Sequence, residues 1–74
     1  MKKYLIVVEK TGTGYSAYSP DLDGCIATGK TREEVEREMQ EAISFYLEGM
    51  SRSGEPIPDP QTYSRYIEIS VPNR

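Results

Sequence analysis

Histidine and tryptophan are absent from this 74-residue chain, and cysteine occurs once, at Cys25. Without histidine no side chain titrates near neutrality unaided, and the acid-base and zinc chemistries built on imidazole drop out. A lone cysteine cannot close an intrachain disulfide. After Lys2-Lys3 the apolar run Tyr4 to Val8 is shorter than the ~7 to 15 residues of a secretory signal core, and nothing approaches the ~20 apolar residues of a membrane span. The expected address is the cytoplasm. Basic charge is scarce as well. Lys and Arg number 9 against 12 Asp and Glu, a net charge of -3, which removes the counterion release behind most nucleic-acid affinity. No direct nucleic-acid contact is expected of residues 1–74, read as one domain. A domain this small buries only about 60% of its unfolded surface, so partners or oligomerisation are expected to supply the rest.

What is present has clear periodicity. Tyr4-Leu5-Ile6-Val7-Val8 is apolar on both parities and reads as a central first strand. Thr11-Gly12-Thr13-Gly14 is a turn leading into Tyr15 to Ser19, completing a hairpin. Pro20-Asp21-Leu22-Asp23-Gly24 is dense in turn formers, with Gly24 free for a left-handed position, and Cys25 to Thr28 follows as a third strand. Thr31-Arg32-Glu33-Glu34 is a capping box that starts a helix. Val35, Met39, Ala42, Ile43, Tyr46 and Met50 form its apolar stripe, with Leu47 at the margin. Glu33, Arg37, Gln40, Glu41, Ser44 and Glu48 form the polar side, Glu33 is spaced to pair with Arg37, and Gly49 is placed to end the helix. The proline-rich stretch to Pro60 reads as a stiff crossover, and Tyr66 to Val71 alternates as a fourth strand.

The order is therefore β-β-β-α-β, an α+β fold. A right-handed helical crossover would lay the fourth strand parallel to the first, giving a four-stranded mixed sheet of order 3-2-1-4 with the helix on one face. One helix shields one side of such a sheet. The apolar residues on the other side predict a homodimer or higher oligomer.

The segments Tyr18-Ser-Pro-Asp-Leu-Asp-Gly-Cys25, Gly29-Lys-Thr-Arg-Glu-Glu34 and Glu41-Ala-Ile-Ser-Phe-Tyr-Leu-Glu48 occur in order, with Gly-Tyr-Ser-Ala-Tyr before them and Gly54-Glu-Pro-Ile-Pro58 after. Together they resemble the N-terminal domain of HicB antitoxins over essentially the whole chain. The resemblance implies a partial ribonuclease H-like βββαβ fold and a binding function: sequestering HicA, a small basic toxin of double-stranded-RNA-binding fold that cleaves mRNA. An acidic antitoxin suits a basic toxin, because complementary potentials speed encounter. Longer family members carry a C-terminal DNA-binding segment, and this sequence is read as having none.

Catalysis is not expected, nor is a cofactor or metal. Two-metal phosphodiester cleavage needs converging carboxylates, whereas Glu9 ends the first strand, Glu68 is alone on the fourth, and Asp21 and Asp23 sit in a turn. Turn geometry and local hydrogen bonding are the first reading of those two aspartates. Cys25 has no histidine to activate it and reads as a small core residue, and Gly12 with Gly14 read as a turn, not a phosphate loop. The candidate partner-binding residues are Tyr15, Tyr18, Tyr63 and Tyr66, which combine large area with a polar tip, together with Asp21 and Asp23. The alternative to an antitoxin is a stand-alone homo-oligomeric binding module of the same fold. A degenerate nuclease is a distant third.

Overall fold

The computed structural model describes residues 1–73. Three strands, β1 (Val7–Lys10), β2 (Tyr15–Tyr18) and β3 (Ile26–Gly29), precede one helix, α1 (Arg32–Ser53). The strands form an antiparallel sheet in the order β1-β2-β3. Val7 lies opposite Tyr18, which lies opposite Ile26; Val8, Ala17 and Ala27 make the next row.

This corrects the expected four-stranded sheet of order 3-2-1-4. Tyr66 to Val71 alternates as anticipated, but it pairs with nothing among the described residues, and all of residues 61–73 are exposed. Consequently β1 is an edge strand, not a central one, and the ribonuclease H-like unit with a fourth strand does not describe a single chain. The first strand also begins later than its apolar run. The ladder stops at the Val7 and Tyr18 pair because Pro20 follows, and the buried Ser19 hydroxyl donates to the Leu5 carbonyl at 3.0 Å in place of a further rung.

Each local device has a physical cause. Thr11 closes the hairpin loop by donating its N–H to the Gly14 carbonyl at 2.8 Å and accepting from the Gly14 N–H on its own hydroxyl at 3.0 Å. Gly14 is required there by crowding. A Cβ at that position would lie 2.4 Å from the Gly29 carbonyl oxygen. Gly24 takes the left-handed conformation the sequence suggested, at φ 75°.

Thr31 caps α1 by accepting from the Glu34 N–H at 3.0 Å, while the Glu34 carboxylate reaches back to the Lys30 N–H at 3.1 Å, one residue earlier than the usual box. The helix runs past Gly49, which is a correction. It ends at Gly54, where φ is 77° and the N–H groups of Gly54 and Glu55 satisfy the Ser51 and Met50 carbonyls. The extra turn lets Glu48 pair with Arg52 at 3.0 Å, and the anticipated Glu33 and Arg37 pair is absent from the ion pairs of the described residues.

The core is small: Ala17, Leu22, Cys25, Val35 and Met39 are buried, with Tyr4, Ile6, Val8, Tyr15, Ala42, Ile43, Tyr46 and Leu47 packed around them. Val35 and Met39 head the predicted stripe. The helix lies mainly over β3 and β2 and touches β1 least.

Candidate functional site

Because Ala17 faces the helix, its strand neighbours Ser16 and Tyr18 face the other way. The row Val7, Tyr18 and Ile26 therefore crosses the uncovered side of the sheet, with Leu5 behind Val7. Neither Leu5 nor Val7 joins the core packing, and Tyr18 and Ile26 are 42% and 68% exposed. The next row, Glu9, Ser16 and Thr28, is polar. The uncovered face is thus apolar at the end where β1 begins and wet at the other. At the β3 edge the apolar strip continues around Ile26 onto Phe45 of α1, 77% exposed, across a groove of about 370 Å³ that also touches Cys25, Ala42 and Tyr46.

The second feature is a clasp. After α1 the chain returns across the start of the sheet. The Tyr4 hydroxyl donates to the Pro58 carbonyl at 2.5 Å, and the Lys2 ammonium pairs with Asp59. Asp21 then takes over. Its carboxylate accepts from the Gln61 N–H at 3.1 Å, the Thr62 N–H at 3.2 Å and the Thr62 hydroxyl at 2.9 Å. Beyond Thr62 the chain projects as an exposed arm bearing Tyr63, Tyr66, Ile67, Ile69 and Val71.

These placements sort the sequence candidates. Tyr18 lies on the open face, and Asp23 is exposed in the turn beside it. Asp21 does not serve its own turn as anticipated; its hydrogen bonds reach residues 40 and 41 positions away. Tyr63 and Tyr66 ride on the arm. Tyr15 is half-buried on the helix side and lies against the core, away from the others. Sequence reasoning missed Ile26, Phe45 and Thr62. Phe45 was detectable as an aromatic on the polar arc of the helix; Thr62 carried no signal.

Cys25 is buried, and burial pushes its thiol above the ordinary range, consistent with a core residue that holds its proton. Among the described residues no three cysteine or acidic side chains gather closely enough to hold a metal ion. No helix among them is long and apolar enough to cross a membrane.

The clasp responds to acid. Partial desolvation pushes the Asp21 carboxyl upward, but the hydrogen bonds from Thr62 and Gln61 together outweigh it and hold the group below its ordinary value. A depressed folded-state value means the clasp's contribution is complete above the ordinary carboxylate range and is lost as pH falls through it toward the lowered value. Asp59, held low by hydrogen bonding and attraction from Lys2, releases in the same direction. Amide exchange at Gln61 and Thr62, corrected for intrinsic rates, is therefore expected to lose its protection on acidification before the sheet amides do. Protection unchanged across that range would refute the assignment.

The comparisons with known proteins cover most of the chain. The family model described as HicB-like antitoxin of bacterial toxin-antitoxin systems matches residues 4–71. An uncharacterised 14.9 kDa protein of Haemophilus phage HP1 is 39% identical over 86% of this chain, and a UPF0150 protein of Synechocystis is 33% identical over 92% of this chain and 87% of its own length. The chain spans about half the length of the phage relative, 48%. Among solved structures, one described as the HicA3 and HicB3 toxin-antitoxin complex superposes with a TM-score of 0.69 at 33% identity, over 81% of this chain and 70% of that one. The crystal structure of antitoxin HicB3 gives 0.67 at 35% identity, over 77% of this chain and 42% of that one. The chain belongs to the HicB-like antitoxin family of bacterial toxin-antitoxin systems.

Proposed function

We propose that this domain binds and neutralises a small basic HicA-type toxin in the cytoplasm, acting as a binding partner and not as an enzyme. Family membership and the likeness to a structure of a HicA3 and HicB3 complex support the reading. The observation that carries it is the apolar row Val7, Tyr18 and Ile26 on a sheet face that the chain leaves bare. A protein of net charge -3 favours encounter with a basic surface, and a bare apolar row with an aromatic at its centre supplies the desolvated contact that charge alone does not. Of the six candidates, Tyr18 is the central contact and Asp23 the rim charge. Asp21 fixes the base of the arm and stands apart from the apolar row.

Co-expression tests this. The wild-type chain should restore growth to cells expressing a small basic HicA-type toxin from the same genome, and should co-purify with it. The Tyr18→Asp, Ile26→Asp double variant should weaken binding by about 30-fold or more, the scale of losing one central anchor, while a Ser44→Ala control on the exposed polar side of the helix binds normally. A double variant that still rescues and co-purifies would displace the contact from this face; a wild-type chain that does neither would reject the toxin reading. The projecting arm favours self-association as a second property, compatible with either partner.

A further inference from the structure

We infer that Tyr66 to Val71 is a donated strand, exchanged between two copies of the chain, each lying along the outer edge of the other's β1. The inference rests on the self-association just raised and is independent of the toxin.

Three observations carry it. Ile67, Ile69 and Val71, on one parity, are 68%, 72% and 79% exposed, although β-branched residues in strict alternation are the pattern of a strand with one face against a core. Among the described residues nothing covers that face. The arm is also aimed. Contacts at Pro58, Asp59, Gln61 and Thr62 fix its base at the end of the sheet where β1 begins, and beyond them it leaves the body. The radius of gyration is 15.3 Å and the long axis 56 Å, where a compact chain of this length has a radius near 11 Å. Finally, the body is unfinished where a donor would dock. Among the described residues the outer edge of β1 has no neighbour, the helix touches β1 least, and Ile6, Val8, Ile43 and Leu47 are only partly buried. On the β3 side, by contrast, α1 packs most closely over the sheet.

The symmetry follows from these directions. Two copies related by a two-fold axis meet at the ends from which their arms emerge. Each arm then enters the other body from the start of β1 and runs parallel to it. Parallel neighbours cannot be joined by a tight turn, and exchange between chains removes the need for one. Ile67, Ile69 and Val71 face the helix side to extend the core; Glu68 and Ser70 share the open side with Glu9. Because the exchange is reciprocal about the two-fold axis, both donors and both acceptor edges are used and the assembly closes at two. The sheet of a single chain remains three-stranded; the added strand belongs to the assembly. Reciprocity doubles the contact, bringing two short strands within reach of the about 1,600 Å² of a stable interface.

The purified 74-residue chain, without toxin, provides the test. Sedimentation equilibrium should report a dimer. The Ile67→Asp, Ile69→Asp double variant should raise the dissociation constant about a hundredfold or more while keeping its helical circular dichroism, because those side chains are exposed and lie outside the core packing of one chain. In a Cys25→Ala background, chains carrying Glu9→Cys mixed with chains carrying Glu68→Cys should form a disulfide between chains. A wild-type monomer at high micromolar concentration would overturn the inference. So would an intrachain disulfide formed within a monomer when one chain carries both cysteines. Neither result bears on growth rescue, so the two readings fail separately.

Discussion

Replacing Gly29 by alanine is expected to be among the most damaging single changes in the domain, although the substitution adds one methyl group. Gly29 ends β3 directly beneath the first turn of α1. A Cβ there would lie 2.7 Å from the Val35 nitrogen, 3.0 Å from its Cα and 3.2 Å from the Glu34 carbonyl carbon. All three neighbours are backbone, so no rotamer change makes room. The turn that would have to move holds the Val35 N–H on the Thr31 carbonyl at 3.0 Å and plants Val35, fully buried, in the core. Overpacking of this kind costs about 1 to 3 kcal/mol, and a backbone obstacle places it at or beyond the upper end. A domain of this size holds roughly 4 to 11 kcal/mol in all, so the loss is a large share. The urea midpoint at fixed protein concentration should fall accordingly with an unchanged slope. Gly12→Ala is the control: nothing lies within 4 Å of its added Cβ, and its midpoint should stay within about 0.5 kcal/mol of wild type. Equal midpoints for the two variants would refute the account.

That glycine shows where sequence reading stops. In the sequence Gly29 reads only as part of the segment Gly29 to Glu34; its steric demand, from the backbone of Glu34 and Val35, shows only once the first helix turn folds back onto β3. Features enforced within a few residues were legible: the Thr31 cap, the Val35 and Met39 stripe, the left-handed Gly24 and the turn between β1 and β2. The helix end was misplaced because Gly49 and Gly54 are equally good stop signals in isolation, and only Gly54 takes positive φ. The fourth strand failed for a different reason. Alternation in Tyr66 to Val71 is the pattern of a strand with one buried face but does not itself supply a neighbour, and the apolar run of β1 is accommodated by leaving β1 half-buried at an edge. The candidate site was half legible. Residue type and loop position name Tyr18 and Asp23 as candidates, and both are exposed, whereas the clasp from Asp21 to Thr62 spans 41 residues and no spacing rule reaches that far.

Leu22→Ala should join that long-range clasp to the core and affect both at once. Leu22 is 1% exposed although it sits in a loop, and it is among the largest fully buried side chains. It pins the Ser19 to Cys25 turn from inside: its N–H donates to the Ser19 carbonyl at 3.1 Å, and its carbonyl accepts from Cys25 at 3.2 Å. Truncating a buried leucine costs about 2 to 5 kcal/mol through lost transfer energy and the cavity left behind. The turn also carries Asp21 immediately before Leu22, so loosening it moves the carboxylate away from Gln61 and Thr62. Leu22→Ala should therefore lower the urea midpoint and also release amide protection at residues 61 and 62 under native conditions. Asp21→Asn separates the two effects. It keeps the buried leucine, so the sheet should stay nearly as stable, but it removes the charge that receives three hydrogen bonds, so residues 61 and 62 should lose protection alone. If Leu22→Ala lowered the midpoint while leaving Gln61 and Thr62 as protected as in wild type, the turn would not be what holds the clasp, and Asp21 would have to be positioned from the arm side instead.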